Sequence, residues 1–249
     1  MAWTVLTAFV TESVVFGLSA LPAVLFWEWH LRRLAPTSWI RIIVLAMSLV
    51  PAYLLFAVCL MWWSAAAVRL LGWRSPDHAA MPIADRDWPV LRWARYAVST
   101  HVVRVLVGTV LRSTPLWTWY HRLNGARFGR RVLVNSVMLA DHNLLEFGDD
   151  VVIGADVHVS GHTVEGGRLR TGRVRLGSNV TIGLASVIDI DVEISSGCEI
   201  GGGRFRDGKR TRAGTSPKRS SKHPTPTACN ISQRSPSECG MNVIAWILA

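Results

Sequence analysis

A six-residue repeat constrains this chain more than any other feature of its 249 residues. From Phe147 an apolar residue recurs every sixth position, at Phe147, Ile153 and Val159. After a gap the series resumes at Leu176, Ile182, Ile188, Ile194 and Ile200. The residue after each is small or turn-forming: Gly148, Gly154, Ser160, Gly177, Gly183, Asp189, Ser195 and Gly201. Four positions on from each apolar residue comes a small or β-branched set: Val151, Val157, Thr163, Val180, Ser186, Val192 and Cys198. An outlying hexad begins at Phe128-Gly129. A period of six fits neither a helix nor simple strand alternation. It is the mark of a parallel β-helix in which three hexads make one coil. The leading side chain of each hexad is expected to point inward, and the small residue after it to take the corner. Residues 147–164 would fill one coil and 176–193 another, each needing a neighbour or a cap to bury its faces.

Ahead of the repeat lie two apolar runs. The first, Trp3 to Trp27, is interrupted only by Glu12, and the second, Ile42 to Val68, carries no charge. At ~1.5 Å per residue either is long enough for a bilayer core of about 30 Å. Trp27, Trp29 and Trp39 flank the inner ends, and Trp62, Trp63 and Trp73 mark the far end of the second run, as interfacial belts do. No Lys or Arg precedes the first run, which argues against a cleavable signal peptide. A membrane hairpin over residues 1–74 is expected, with spans near 3–27 and 42–68. Arginines lie on both sides of the second run, so charge barely chooses an orientation. Glu12, inside an apolar span, is a functional candidate, with packing or snorkelling as the plainer role.

Residues 75–122 read as a linker (75–87) followed by a helix from Trp88 to Leu111. That helix mixes Arg92, Arg95, Arg104 and Arg112 with Trp, Tyr, Val and Leu. The mixture suits a helix lying in the membrane interface, or equally one packed on the domain that follows. Residues 123–202 carry the solenoid. Within it Glu165 to Arg175 break the period, and an insertion of this kind is usually a loop leaving one face. Arg168, Arg170 and Arg173, with Arg175, are candidate binders of a phosphorylated donor; a solvated rim is the alternative.

The net charge of +10 is concentrated at one end. Residues 203–249 hold nine Lys and Arg against Asp207 and Glu238, and the rest of the chain is close to balanced. A nucleic-acid partner is therefore not expected. Hexads stop near 202, lysines first appear, and Ser, Thr and Pro fill the segment, so a disordered tail is expected. Three changes at one point favour a shifted reading frame over a basic tail drawn to anionic lipid or nucleic acid. Gly203 to Lys209 has phosphate-loop spacing, but Arg210 stands where a Ser or Thr is required.

The hexads resemble those of the left-handed β-helix acyltransferase superfamily over about residues 123–201. The order of membrane pair, Trp-rich helix, Leu116-Trp-Thr-Trp-Tyr-His-Arg-Leu-Asn-Gly-Ala-Arg-Phe-Gly129, Asp149-Asp150-Val-Val-Ile-Gly154 and Gly161-His162-Thr163 is similar to a narrower group. That group is the C-terminal membrane region of nonribosomal peptide synthetases of the ε-poly-lysine synthetase type. The resemblance implies a membrane hairpin plus a left-handed parallel β-helix, here truncated, that forms an amide from a thioester-bound aminoacyl group. The donor would be a phosphopantetheinyl thioester or acyl-CoA, with no firmly bound cofactor and no metal. Carrier and adenylation domains, absent from this chain, would be supplied elsewhere, and the acceptor would be a small-molecule amine. Membrane lipid is an expected partner, and a homo-oligomer is open to a solenoid of this kind. The resemblance places the protein in the cell membrane with the β-helix on the cytoplasmic side.

Such chemistry needs a base for the amine proton and a donor for the oxyanion, and members of the superfamily commonly use a His as base. His162, after a Gly and just before the arginine-bearing loop, is the first candidate. His142 is the second; Asp141 could orient it only if the fold brings the two side chains together, since neighbours on a strand point apart. His158 reads as a surface residue. Asn143 or the Gly166-Gly167 backbone are candidate oxyanion donors. Two other readings stand beside the synthetase module: a non-catalytic membrane scaffold or remnant, and a stand-alone CoA-dependent acyltransferase.

Overall fold

The computed structural model describes residues 2–33, 39–84, 87–202 and 231–233. Helix α1 (Ala2–Arg33) and helix α2 (Trp39–Leu70) form an antiparallel pair that keeps Pro22 and Pro51 inside helical turns. Both are long and apolar enough to cross a membrane, with mean hydropathy 1.8 and 2.5, and only 17% of each apolar window is buried. That degree of exposure distinguishes them from core helices of a water-soluble fold. Phe9, Trp39, Met47 and Val50 present open apolar surface.

The described residues that follow α2, 71–84, include a strand. This strand, β1 (Ala80–Pro82), lies along a later hairpin. Helix α3 (Trp88–Val103) runs on through a π-helical turn, Arg104–Gly108, and a short helix α4 (Thr109–Leu111). Val103, Val107 and Leu111 are buried with Leu60 and Met61 of α2 and Val132 and Val134 of the repeat. The packed alternative is thus realised on this face, while Trp88, Val105, Leu106 and Val110 remain exposed. Helix α5 (Pro115–Leu123) starts at Thr114, whose hydroxyl accepts the Trp117 N–H, with Pro at the first position; both are strong helix starts.

From residue 127 the chain visits three parallel stacks in rotation. The first passage gives β2 (Arg127–Phe128), β3 (Leu133–Val134) and an isolated bridge at Leu139. The second gives β4 (Leu145–Phe147), β5 (Val152–Ile153) and β6 (His158–Val159). A hairpin, β7 (His162–Glu165) and β8 (Arg168–Thr171), then leaves the stacks. The third passage gives β9 (Val174–Leu176), β10 (Thr181–Ile182) and β11 (Val187–Ile188), and the fourth β12 (Val192–Ile194) and β13 (Glu199–Ile200). Inward residues stack in columns: Phe128, Phe147, Leu176, Ile194; Val134, Ile153, Ile182, Ile200; Leu139, Val159, Ile188. All but Phe128 are buried, and the Phe128 and Phe147 rings stack at 4.4 Å. Equivalent positions lie 18 residues apart in the uninterrupted passage and 29 apart across the hairpin.

Two details differ from the expectation. The corner is not the residue after the apolar one but the third, where Asp150, Asp156, Asn179, Ala185, Asp191 and Gly197 take positive φ. The small residue serves close approach instead: a Cβ on Gly148 or Gly154 would come within 2.7 Å of backbone atoms in the next passage. Thr163 belongs to the hairpin and not to a hexad. Of the expected disordered, frame-shifted tail, only Ile231–Gln233 is described, as a strand β14 antiparallel to β12. Residues 203–230 and 234–249, including the phosphate-loop-like Gly203 to Lys209, lie outside the described residues.

Candidate functional site

The site forms where the repeat is broken twice. Between the first and second passages Asp141 takes a left-handed φ of 52° just before a 3-10 turn, His142–Leu144. That conformation is one that Asp tolerates, and here the carboxylate ends up buried, with the residue 3% exposed. Three donors converge on it. Ser75 Oγ donates to Oδ1, Trp93 Nε1 donates to Oδ1 at 3.1 Å, and His162 Nδ1 donates to Oδ2. A buried carboxylate with this many partners is stable as an anion. Burial alone would push its acidity down, but the His162 charge and the three hydrogen bonds outweigh burial and hold Asp141 below the usual carboxylate range.

His162 opens the second break, at the first residue of β7. The approach depends on Gly161, where a Cβ would sit 2.8 Å from the Asp141 Cβ and 3.0 Å from that of Leu144. Ser160 Oγ accepts the His162 backbone N–H at 3.2 Å and donates to its carbonyl at 2.7 Å, so the backbone of His162 is clamped as well. The Trp93 ring meets the imidazole edge-on at 5.0 Å. Burial would lower the His162 pKa, yet Asp141, by charge and hydrogen bond, with help from Asp189, raises it above the ordinary 6.5. The side chain is 20% exposed, and Nε2 is neither sealed from solvent nor paired among the described residues. An imidazole with Nδ1–H on a carboxylate and Nε2 open is set up to accept a proton.

His142 goes elsewhere. Its ring lies 4.5 Å from His121, 5.7 Å from Tyr120 and 6.2 Å from Tyr96, and its Nδ1 has no partner. Burial, only partly offset by Asp141, pushes its pKa down to about 4. The fold therefore gives Asp141 to His162 and leaves His142 in an aromatic pocket held by its backbone N–H on Tyr96 Oη at 3.0 Å. His158 is exposed on the outward face of β6.

The arginines of the insertion are mostly occupied. Arg173 binds Asp77 through two nitrogens, at 2.6 and 2.9 Å, and also Glu146. Arg175 binds Glu146 at 3.1 Å, and Arg170 pairs with Glu165 at 3.3 Å. Arg168, exposed beside the Gly166-Gly167 turn, has no ion pair among the described residues. Asn143 is committed too: it exchanges hydrogen bonds with the backbone of Ser75 at 2.9 and 3.3 Å. Together with β1 on β8 and Ala79 on Thr171, this pins the segment that carries Ser75 to Asp141. The two glycines form the far turn of the hairpin, where Gly167 O accepts from Ile83 N.

Glu12 lies beside Ser99 of α3, with Oε1 buried and unpartnered and no cation paired to it among the described residues. Ser64 and Ser99 share a hydrogen bond next to it at 3.1 Å. Sequence reasoning missed Ser75 and Trp93, which stand 66 and 48 residues before the carboxylate they serve. No local signal could have found them. Among the described residues no cluster of His, Cys, Asp and Glu is arranged to hold a metal. The chain matches no protein-family model, and no curated protein matches it.

Proposed function

We propose that the protein is a membrane-anchored acyl- or aminoacyl-transferase module that forms an amide from a thioester-bound donor. On this reading α1 and α2 sit in the cell membrane, and the parallel stacks wind as a left-handed β-helix on its cytoplasmic face. The observation that supports it best is the buried Asp141 holding His162 by Nδ1 while Nε2 stays open. A primary amine attacks the thioester carbonyl carbon, and Nε2 takes a proton from the attacking nitrogen. Asp141 remains ionised and stabilises the imidazolium, as carboxylates do in acyl-transfer triads. Collapse of the tetrahedral intermediate breaks the carbon–sulfur bond, and the leaving thiolate takes the proton from Nε2–H. The products are the amide and the free thiol. A carrier domain supplied elsewhere, or CoA, brings the phosphopantetheinyl thioester.

The test uses the full chain in neutral detergent with an S-acyl pantetheine donor and a small primary amine, following thiol release. The wild type should accelerate release, and His162→Ala should lower the rate by roughly 10²–10⁴-fold, the range of general base catalysis. Equal rates for the two proteins would remove His162 from the mechanism and favour a non-catalytic scaffold.

A further inference from the structure

Arg104 is a half-buried cation in want of an anion. It opens the π-helical turn at the end of α3, a distortion that recurs at functional sites. One of its nitrogens, Nη2, lies 2.5 Å from His101 Nδ1, and Nη1 lies 4.0 Å from Met138 Sδ. No carboxylate pairs with it among the described residues, in contrast to Arg127, Arg130, Arg131, Arg170, Arg173 and Arg175. Guanidinium has five N–H donors, so three are left for a ligand. The contact with Arg104 makes His101 Nδ1 an acceptor and leaves the proton on Nε2, a further donor.

The position matters as much as the vacancy of partners. Trp93, Ala97, His101 and Arg104 follow one another along one face of α3 by helical spacing, and Trp93 is the residue against His162. At the other end of that face, Met138 lies beside β6, where its carbonyl accepts the Val159 N–H at 3.0 Å. The chain then turns through Ser160 and Gly161 into His162. His158, exposed between these points, feels both Arg104 and His162 electrostatically. One helix face thus carries the support of the base and an unspent cation.

We propose that Arg104, together with His101, is an anion subsite on the α3 face that also carries Trp93 against His162, and that it takes the phosphate of a phosphopantetheine-bearing donor. The donor's identity rests on the transferase reading; the anion subsite itself does not. A phosphate accepts two or more hydrogen bonds from a guanidinium fork, and a donor gripped there is oriented before its thioester reaches Nε2. Of the arginines in and after the hairpin, Arg170, Arg173 and Arg175 are neutralised by Glu165, Asp77 and Glu146, and Arg168, which has no ion pair among the described residues, stands exposed beside the far turn of the hairpin.

The experiment is calorimetric titration of the full chain, in phosphate-free neutral detergent, with 4′-phosphopantetheine and with pantetheine. The wild type should prefer the phosphorylated probe by about tenfold or more, the effect of one or two charge-assisted hydrogen bonds. Arg104→Ala and Arg104→Gln should lose that preference, Arg104→Lys should keep part of it, and His162→Ala should keep all of it. Size exclusion and far-ultraviolet circular dichroism identify the folded variants, and the lysine variant serves if the shorter side chains do not fold. A preference equal in wild type and folded Arg104 variants, or no preference in the wild type, overturns the proposal. A second arm in nanodiscs with and without phosphatidylglycerol separates the sources of phosphate. If Arg104 governs anionic-lipid retention and not phosphopantetheine binding, the subsite belongs to a lipid headgroup and the donor assignment falls. If His162→Ala leaves turnover intact while phosphate preference still follows Arg104, the transferase reading fails and the subsite stands.

Discussion

His162 gives one nitrogen to Asp141 and the other to solvent, whereas His142, next to Asp141 in the chain, sits among Tyr96, Tyr120 and His121 with its Nδ1 unpartnered. Both are removed from most solvent, yet one is pushed up and the other down to about 4. Burial acts the same way on both and lowers each. What separates them is a hydrogen-bonded carboxylate, itself kept ionic by Ser75 and Trp93. A histidine in an apolar pocket stays neutral and inert, and a histidine on a supported carboxylate becomes a usable base.

Several measurements would break or sharpen that contrast. The largest effect is expected from Asp141→Ala, which strips His162 of its orienting charge. Turnover should fall by about 10²–10⁴-fold, with a stability loss of about 3–5 kcal/mol from disrupting a buried charge pair. Thiol release and chemical denaturation read the two effects separately.

Acidity comes next. A histidine whose folded pKa is lowered makes the unfolded chain the better proton binder between the two values. Stability should therefore fall as pH drops from 6.5 to about 4, by on the order of 3 kcal/mol for His142. His162 has the opposite sign: its raised pKa adds stability that is complete below 6.5 and lost as pH rises through the folded value. Denaturation midpoints across pH should show the acid limb shrink in His142→Phe and the alkaline limb shrink in His162→Gln. An acid limb unchanged in His142→Phe would show that His142 is not the neutral buried group described.

Trp93→Phe removes one donor from the ionised Asp141. The expected cost is about 1.5–3 kcal/mol, as for hydrogen bonds to charged groups, with the fold retained. Arg170→Ala, which breaks a largely exposed pair with Glu165, should cost less than about 1 kcal/mol. A larger loss there would mean that the hairpin bears more of the structure than its exposure indicates.

The stacks were legible because an inward position must be apolar in every passage, so Phe147, Ile153, Val159, Leu176, Ile182, Ile188, Ile194 and Ile200 announce themselves by spacing. The membrane-length helices were legible for a similar reason, since length and hydropathy are local properties. The roles of the small residues were less so: Gly148 and Gly154 answer to the neighbouring passage, which spacing along one strand does not reveal. Ser160 and Thr163 satisfied the hexad rule while belonging to the edge of the site and to the hairpin. His162 could be singled out by its place before the break, but its partner could not. Asp141 stands next to His142 in sequence and serves His162 in space, because a left-handed residue and a 3-10 turn redirect the chain between them. Ser75 and Trp93 reach it from outside the repeat altogether.

The pH dependence of thiol release, measured for the wild type and for Asp141→Asn, tests the central claim most directly. Activity should rise with pH along a single ionisation above 6.5 as His162 loses its proton. In Asp141→Asn that ionisation should move to lower pH and the plateau should drop. A wild-type profile with no ionisation in that range, or one that Asp141→Asn leaves in place, would contradict the assignment of His162 as a base tuned by Asp141.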